Sequence, residues 1–177
     1  MILKPQDLVV LLKMVAVGQE KWSYTTISVS LSMSASEVHA GIRRALAARL
    51  AVHLGDRIIP ALNGLEEFII HGLRYVFVPD RGEMTRGMPT AHAGPPLAGM
   101  LVATKDPAPV WPDPEGEVRG ESFSPLYKSV PKAAKADHRL YELLVLVDAI
   151  RGGRSREREI AIRELSQRLR DFGGDQP

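Results

Sequence analysis

The spacing of apolar residues along the chain predicts a largely helical protein. Leu8, Leu11, Leu12 and Val15 recur at helical intervals, so residues 6–16 read as a helix, with Pro5 suited to its first turn and Gly18 to its end. A second, short helix is expected over 23–31, where Ser23 suits the N-cap and Ile27 and Leu31 lie one turn apart. A third follows Ser34. The run Ser34-Ala35-Ser36-Glu37 reads as a capping box: the serine oxygen accepts the Glu37 amide, and the Glu37 carboxylate reaches back to Ser34. Val38, Ile42 and Leu46 then form an apolar stripe in a helix running to about Leu50. A hairpin is expected next, with Val52 and Leu54 before Gly55-Asp56 and Arg57-Ile58-Ile59 after it. Glycine first and a polar residue second suit a two-residue type II′ turn, and Pro60 ends the second strand. Leu65, Phe68, Ile69 and Leu73 predict one helix over 62–76. Toward the end of the chain, Leu140, Leu143, Leu144, Val147 and Ile150 predict a helix over 138–151, which Gly152-Gly153 breaks. Ile162, Leu165 and Leu169 predict another over 155–171, whose early Glu157 and Glu159 and late Arg168 and Arg170 complement the helix dipole.

Residues 79–131 have a different texture. They hold ten of the 13 prolines and six of the 15 glycines, and Pro95-Pro96 and Val110-Trp111-Pro112-Asp113-Pro114 exclude regular helix. Trp111, Phe123, Leu126 and Tyr127 are more apolar surface than a mobile linker carries. The segment therefore reads as an ordered loop lying across the folded body, with Trp111 as a plug over the core. The expected fold class is mainly α with one small β-hairpin. The expected organisation is an N-terminal domain over 1–62 and a helical C-terminal region over 63–177, ending in a helical hairpin.

Composition narrows the chemistry. There are no cysteines, which excludes disulfides, thiolate metal sites and cysteine nucleophiles. No run of about 18 apolar residues suggests a membrane span, and Met1 to Asp7 lack the basic start and apolar stretch of a signal peptide, so a cytoplasmic location is expected. The histidines form no metal-ligand set: Glu67 and His71 sit one helical turn apart, and one such pair is not a metal site. Glu66 and Glu67 are adjacent and diverge by about 100° on a helix. No nucleophile elbow or phosphate loop is present. No cofactor, no metal and no enzymatic activity are expected. The net charge is +2, but it is unevenly spread: residues 1–62 carry seven Lys/Arg against four Asp/Glu, and residues 63–130 carry six against nine. A basic N-terminal module suits phosphate binding.

Helix, helix, turn, capping box, helix and hairpin follow in that order through residues 5–62. The stretch Trp22-Ser23-Tyr24-Thr25-Thr26-Ile27-Ser28-Val29-Ser30-Leu31-Ser32-Met33-Ser34, continued by the stripe at Val38, Ile42 and Leu46, resembles winged helix-turn-helix transcriptional regulators of the MarR-like kind. It departs from them in having Ser32 where glycine is usual in the turn, and in its short wing. The resemblance implies sequence-specific binding of double-stranded DNA, with the helix at 35–50 in the major groove. With the apolar stripe inward, Ser36, His39 and Arg43 are the candidates for base edges. Tyr24, Thr25, Arg44, Arg49 and Arg57 are the candidates for phosphate. The appended helices imply a homodimer on a palindromic site. The alternative is a protein-interaction module, such as an antitoxin whose C-terminal region holds a toxin-like partner. The segment Thr85 to Pro96, with Arg86, Thr90 and His92, reads either as a connector or as a loop for a small effector or partner; the connector is favoured.

Overall fold

The computed structural model describes residues 1–174. Its elements run α1 (Pro5–Val17), α2 (Tyr24–Leu31), α3 (Ala35–Ala47), β1 (Ala51–Leu54), β2 (Arg57–Pro60), α4 (Leu62–His71), α5 (Leu73–Val76), β3 (Arg81–Pro89), β4 (Pro109–Pro112), β5 (Val118–Phe123), α6 (Val130–Ala136), α7 (His138–Gly152) and α8 (Ser155–Gly173). Among the described residues 55% are helical and five strands form two small sheets, so the class is mixed α/β rather than mainly α. None of the described helices is long and apolar enough to cross a membrane.

The N-terminal elements form where the local signals place them. The Ser23 hydroxyl accepts the Thr26 amide at 3.1 Å and starts α2. Ser32 ends α2 in the left-handed conformation, φ 51° and ψ 41°, where glycine would be easiest. The capping box of α3 is formed in both directions: Glu37 N–H to Ser34 Oγ at 3.2 Å and Ser34 N–H to Glu37 Oε2 at 2.9 Å. In the hairpin β1 pairs antiparallel with β2, and Gly55 takes φ +59° at the first turn position while Asp56 keeps a negative φ. Two boundaries move. The third helix stops at Ala47 rather than Leu50, and the helix expected over 62–76 is interrupted at Gly72, leaving α4 and the single turn α5. A Cβ at Gly72 would press on the Phe68 ring at 3.0 Å, so the tight corner is built around that ring.

The largest correction concerns residues 79–131, which are not one long loop. Strand β3 pairs antiparallel with both β4 and β5, and those two pair parallel with each other, closing a small three-stranded barrel. Two prolines flank Val110-Trp111 in β4. Glycines sit where strands cross: a Cβ on Gly87 would lie 2.1 Å from the Trp111 carbonyl oxygen, and one on Gly120 would lie 2.0 Å from that of Ala108. These glycines allow close backbone approach. Helix α6 begins at the last two residues of the segment and lies mostly beyond it, where no element was expected.

The core is built on α1 and α7, which are each far more deeply buried than one apolar stripe requires. In α1, Asp7 to Leu12 and Met14 to Ala16 are all buried, and in α7 Leu143 to Arg151 are. Both lie inside the molecule: α1 packs on α2, α3, α7 and α8, while α7 packs on α1, α6, α8 and the turn at Ala91–Ala93. The buried apolar side chains form one cluster that continues across residue 62. Trp111 is fully buried, as a plug over the core would be. Its indole N–H donates to Asp148 Oδ2 at 2.7 Å, which also accepts from the Thr90 hydroxyl at 2.7 Å. Asp148 Oδ1 takes Arg151 Nε at 2.8 Å, and Arg151 donates onward to the carbonyls of Phe77, at 3.1 Å, and Ser124. One buried ion pair on α7 thus pins both ends of the barrel to the helical body.

Candidate nucleic-acid interface

Four buried residues of α3, Val38, Gly41, Ile42 and Ala45, fix which side of the helix faces out. The opposite side carries Ser36, His39 and Arg43, all exposed. At i, i+3 and i+7 they lie along one face. Arg43 forms no hydrogen bond, ion pair or ring contact among the described residues, so its guanidinium is free for a ligand. Its neighbour Arg44 is not. Arg44 Nη2 and Nε grip the two oxygens of Asp7 at 2.6 and 2.7 Å, and Asp7 is fully buried. The expectation of a phosphate contact from Arg44 is therefore corrected: one step of about 100° along the helix turns it from the outer face into the α1–α3 junction. The Asp7 carboxylate pushes the Arg44 pKa up. Asp7 also accepts the Lys4 N–H at 2.8 Å, closing the first turn of α1.

The other candidates frame the same face. His39 stacks flat on Tyr24, with centroids 3.9 Å apart and planes 10° from parallel, and Trp22 meets Tyr24 edge-on at 5.5 Å. This aromatic trio ties the entry of α2 to the middle of α3 and sets the His39 ring. Thr25 is exposed in the first turn of α2. Arg49 and Arg57 are exposed, one after α3 and one in the hairpin, and neither side chain has a partner among the described residues. Between the hairpin and the entry of α2 lies a cleft of about 410 Å³, lined by Lys21, Trp22, Tyr24, Asp56, Arg57 and Ile58.

Three residues of this surface escaped sequence reasoning. Lys21 lines the cleft together with Arg57, and its only signal is its position just before Trp22 and the cap. Tyr127 and Lys128 come from 90 residues downstream. The Tyr127 hydroxyl donates to Glu37 Oε1 at the start of α3, and Lys128 Nζ lies 5.9 Å from the Tyr127 ring. The Tyr127 hydroxyl and the Ser34 amide and hydroxyl hold the Glu37 carboxyl below its usual range, while the carboxylate pushes the Tyr127 pKa up. No local pattern around Tyr127 could have revealed that contact.

Elsewhere, Glu67 and His71 are both exposed on α4, and no group of three or more His, Asp or Glu among the described residues is placed to hold a metal ion. Thr90 is buried on Asp148, Arg86 is exposed on β3, and His92 lies in a separate cleft against α8. No protein-family model, curated protein or solved structure matches the chain.

Proposed function

We propose that this chain is a double-stranded DNA-binding protein of the winged helix-turn-helix type, that it regulates transcription, and that it reads the major groove with α3. The observation that carries the reading is the outer face of α3. It presents Ser36, His39 and an unpaired Arg43, while the inner face is anchored by apolar packing and the Asp7–Arg44 pair. A recognition helix needs that combination of a held back and a free front. Arg43 can pair with O6 and N7 of guanine, a contact worth about 1–3 kcal/mol of discrimination. Thr25, Arg49 and Arg57 flank it as phosphate ligands, with Lys21 added from the cleft. Tyr24 acts through the His39 ring it stacks on. A cytoplasmic homodimer on a palindromic site completes this reading.

The test is binding of the protein to the DNA upstream of its own gene and to an unrelated duplex, each at two salt concentrations. The expected result is tighter binding to the upstream DNA and weakening of both complexes with salt, as phosphate contacts require. Absence of binding to either duplex at low salt removes the reading. A second reading, an antitoxin-like module that holds a partner protein, draws on the exposed apolar residues of the α5 segment: Tyr75 is 74% exposed, Val76 58% and Val78 66%. Apolar side chains grouped this way often mark protein contacts. Co-purification of a partner that Tyr75→Ser with Val78→Ser releases, with no DNA binding, favours that second reading.

A further inference from the structure

The segment between β3 and β4 lies against the start of α8 and encloses a cleft of about 540 Å³. Small-molecule sites fall in the range of about 300–1,000 Å³. Much of its lining is apolar: Ala93, Ala98, Leu101, Val102 and Ala108. Val102 is 87% exposed, and Met100 beside it 49%, so the hollow opens beside uncovered apolar surface.

The charged groups lining it are mostly engaged with one another. Arg154 Nη2 pairs with Asp106 Oδ2 at 2.7 Å. Glu157 Oε2 accepts the Arg154 backbone N–H at 3.0 Å, and its Oε1 lies 3.6 Å from His92 Nδ1. Arg156 alone among the charged residues lining the cleft has no partner among the described residues. We propose that this cleft binds a small monoanion with an apolar body, an aliphatic carboxylate, its head on Arg156 and its chain over Leu101 and Val102. The guanidinium offers the planar fork that a carboxylate fits, and the apolar lining accepts the chain. A cationic amphiphile would meet Arg156 as a like charge. This inference stands apart from the DNA reading, since no residue of α3 takes part.

The test titrates the full-length protein with octanoate, octanol and octylamine, following the melting temperature and backbone amide shifts. Octanoate is expected to bind saturably, with shifts centred on Leu101, Val102 and Arg156. Octanol should bind about tenfold more weakly, the worth of one charge-assisted hydrogen bond, and octylamine more weakly still. Arg156→Gln should bring octanoate down to the level of octanol without changing the melting temperature of the free protein. Ala98→Trp, at an exposed position, should block both. The proposal is overturned if octanoate gives no saturable shift, if octylamine binds as well as octanoate, or if Arg156→Gln keeps the full preference for the carboxylate.

Discussion

Two buried carboxylate–guanidinium pairs hold the two halves of this molecule, and they do different work. Asp7–Arg44 joins two helices. It is bidentate, and Arg44 keeps 13% of its side chain exposed. Asp148–Arg151 lies on a single helix, with each side chain 3% exposed, and spends its remaining hydrogen bonds on Thr90, Trp111 and the carbonyls of Phe77, just before the barrel, and Ser124, just after β5. The first pair orients a helix whose own apolar packing already fixes its inner face. The second organises a stretch too rich in proline and glycine to bury much by periodic packing. The same chemistry is thus an orienting clamp in one half and the centre of a polar network in the other. Buried ion pairs are poor net stabilisers when intact and costly when broken, so the contrast is best examined by breaking them.

The largest effect is expected from Asp148→Ala, which leaves Arg151 charged and unpaired in the interior. A loss of about 3–5 kcal/mol is expected in urea unfolding, with Trp111 emission shifting to the red as the barrel loosens. Asp7→Ala should cost less, about 2–3 kcal/mol, because Arg44 can turn toward solvent, and it should leave Trp111 unchanged. Equal losses from the two variants would break the distinction. Ser34→Ala, which removes the cap of α3, should cost about 1 kcal/mol. A smaller effect comes from acid. The Glu37 pKa is lowered in the folded chain from its ordinary value of 4.5, so its contribution is present above that value and is lost as the pH falls through the lower folded pKa. Stability measured through that window should fall in the parent protein and fall less in Glu37→Gln.

How far the fold is legible in the sequence follows the same division. Helical periodicity and the Ser34/Glu37 box locate α3, and the inward set leaves Ser36, His39 and Arg43 outside, where the structure has them. Arg44 and Arg43 are adjacent and chemically identical. Helical phase already sets Arg43 outward and Arg44 toward a flank; that Arg44 is held by a buried partner rather than free for phosphate follows from Asp7, 37 residues upstream, and that is tertiary information. The barrel was illegible for a different reason. Strand β3, Arg-Gly-Glu-Met-Thr-Arg-Gly-Met-Pro, is mostly exposed and has no alternation of apolar and polar residues. Its order comes from glycines that permit close crossing and from a polar network centred on Asp148. Glycine and proline in such a segment read locally as loop. The all-round burial of α1 and α7 is legible in the unbroken apolar runs Leu8 to Leu12 and Leu143 to Val147, although a stripe taken alone shows one buried face and says little about what covers the other.

The central claim, a held helix with a free reading face, is tested most directly by Arg43→Ala. Its binding to upstream and unrelated DNA would be measured by fluorescence anisotropy, and its unfolding in urea, both beside the parent protein. Arg43 is exposed and unpaired, so stability should stay within about 0.5 kcal/mol, while preference for the upstream DNA should fall by the worth of a guanine contact, about 1–3 kcal/mol. Unchanged discrimination between the two duplexes, with the fold intact, would contradict the account.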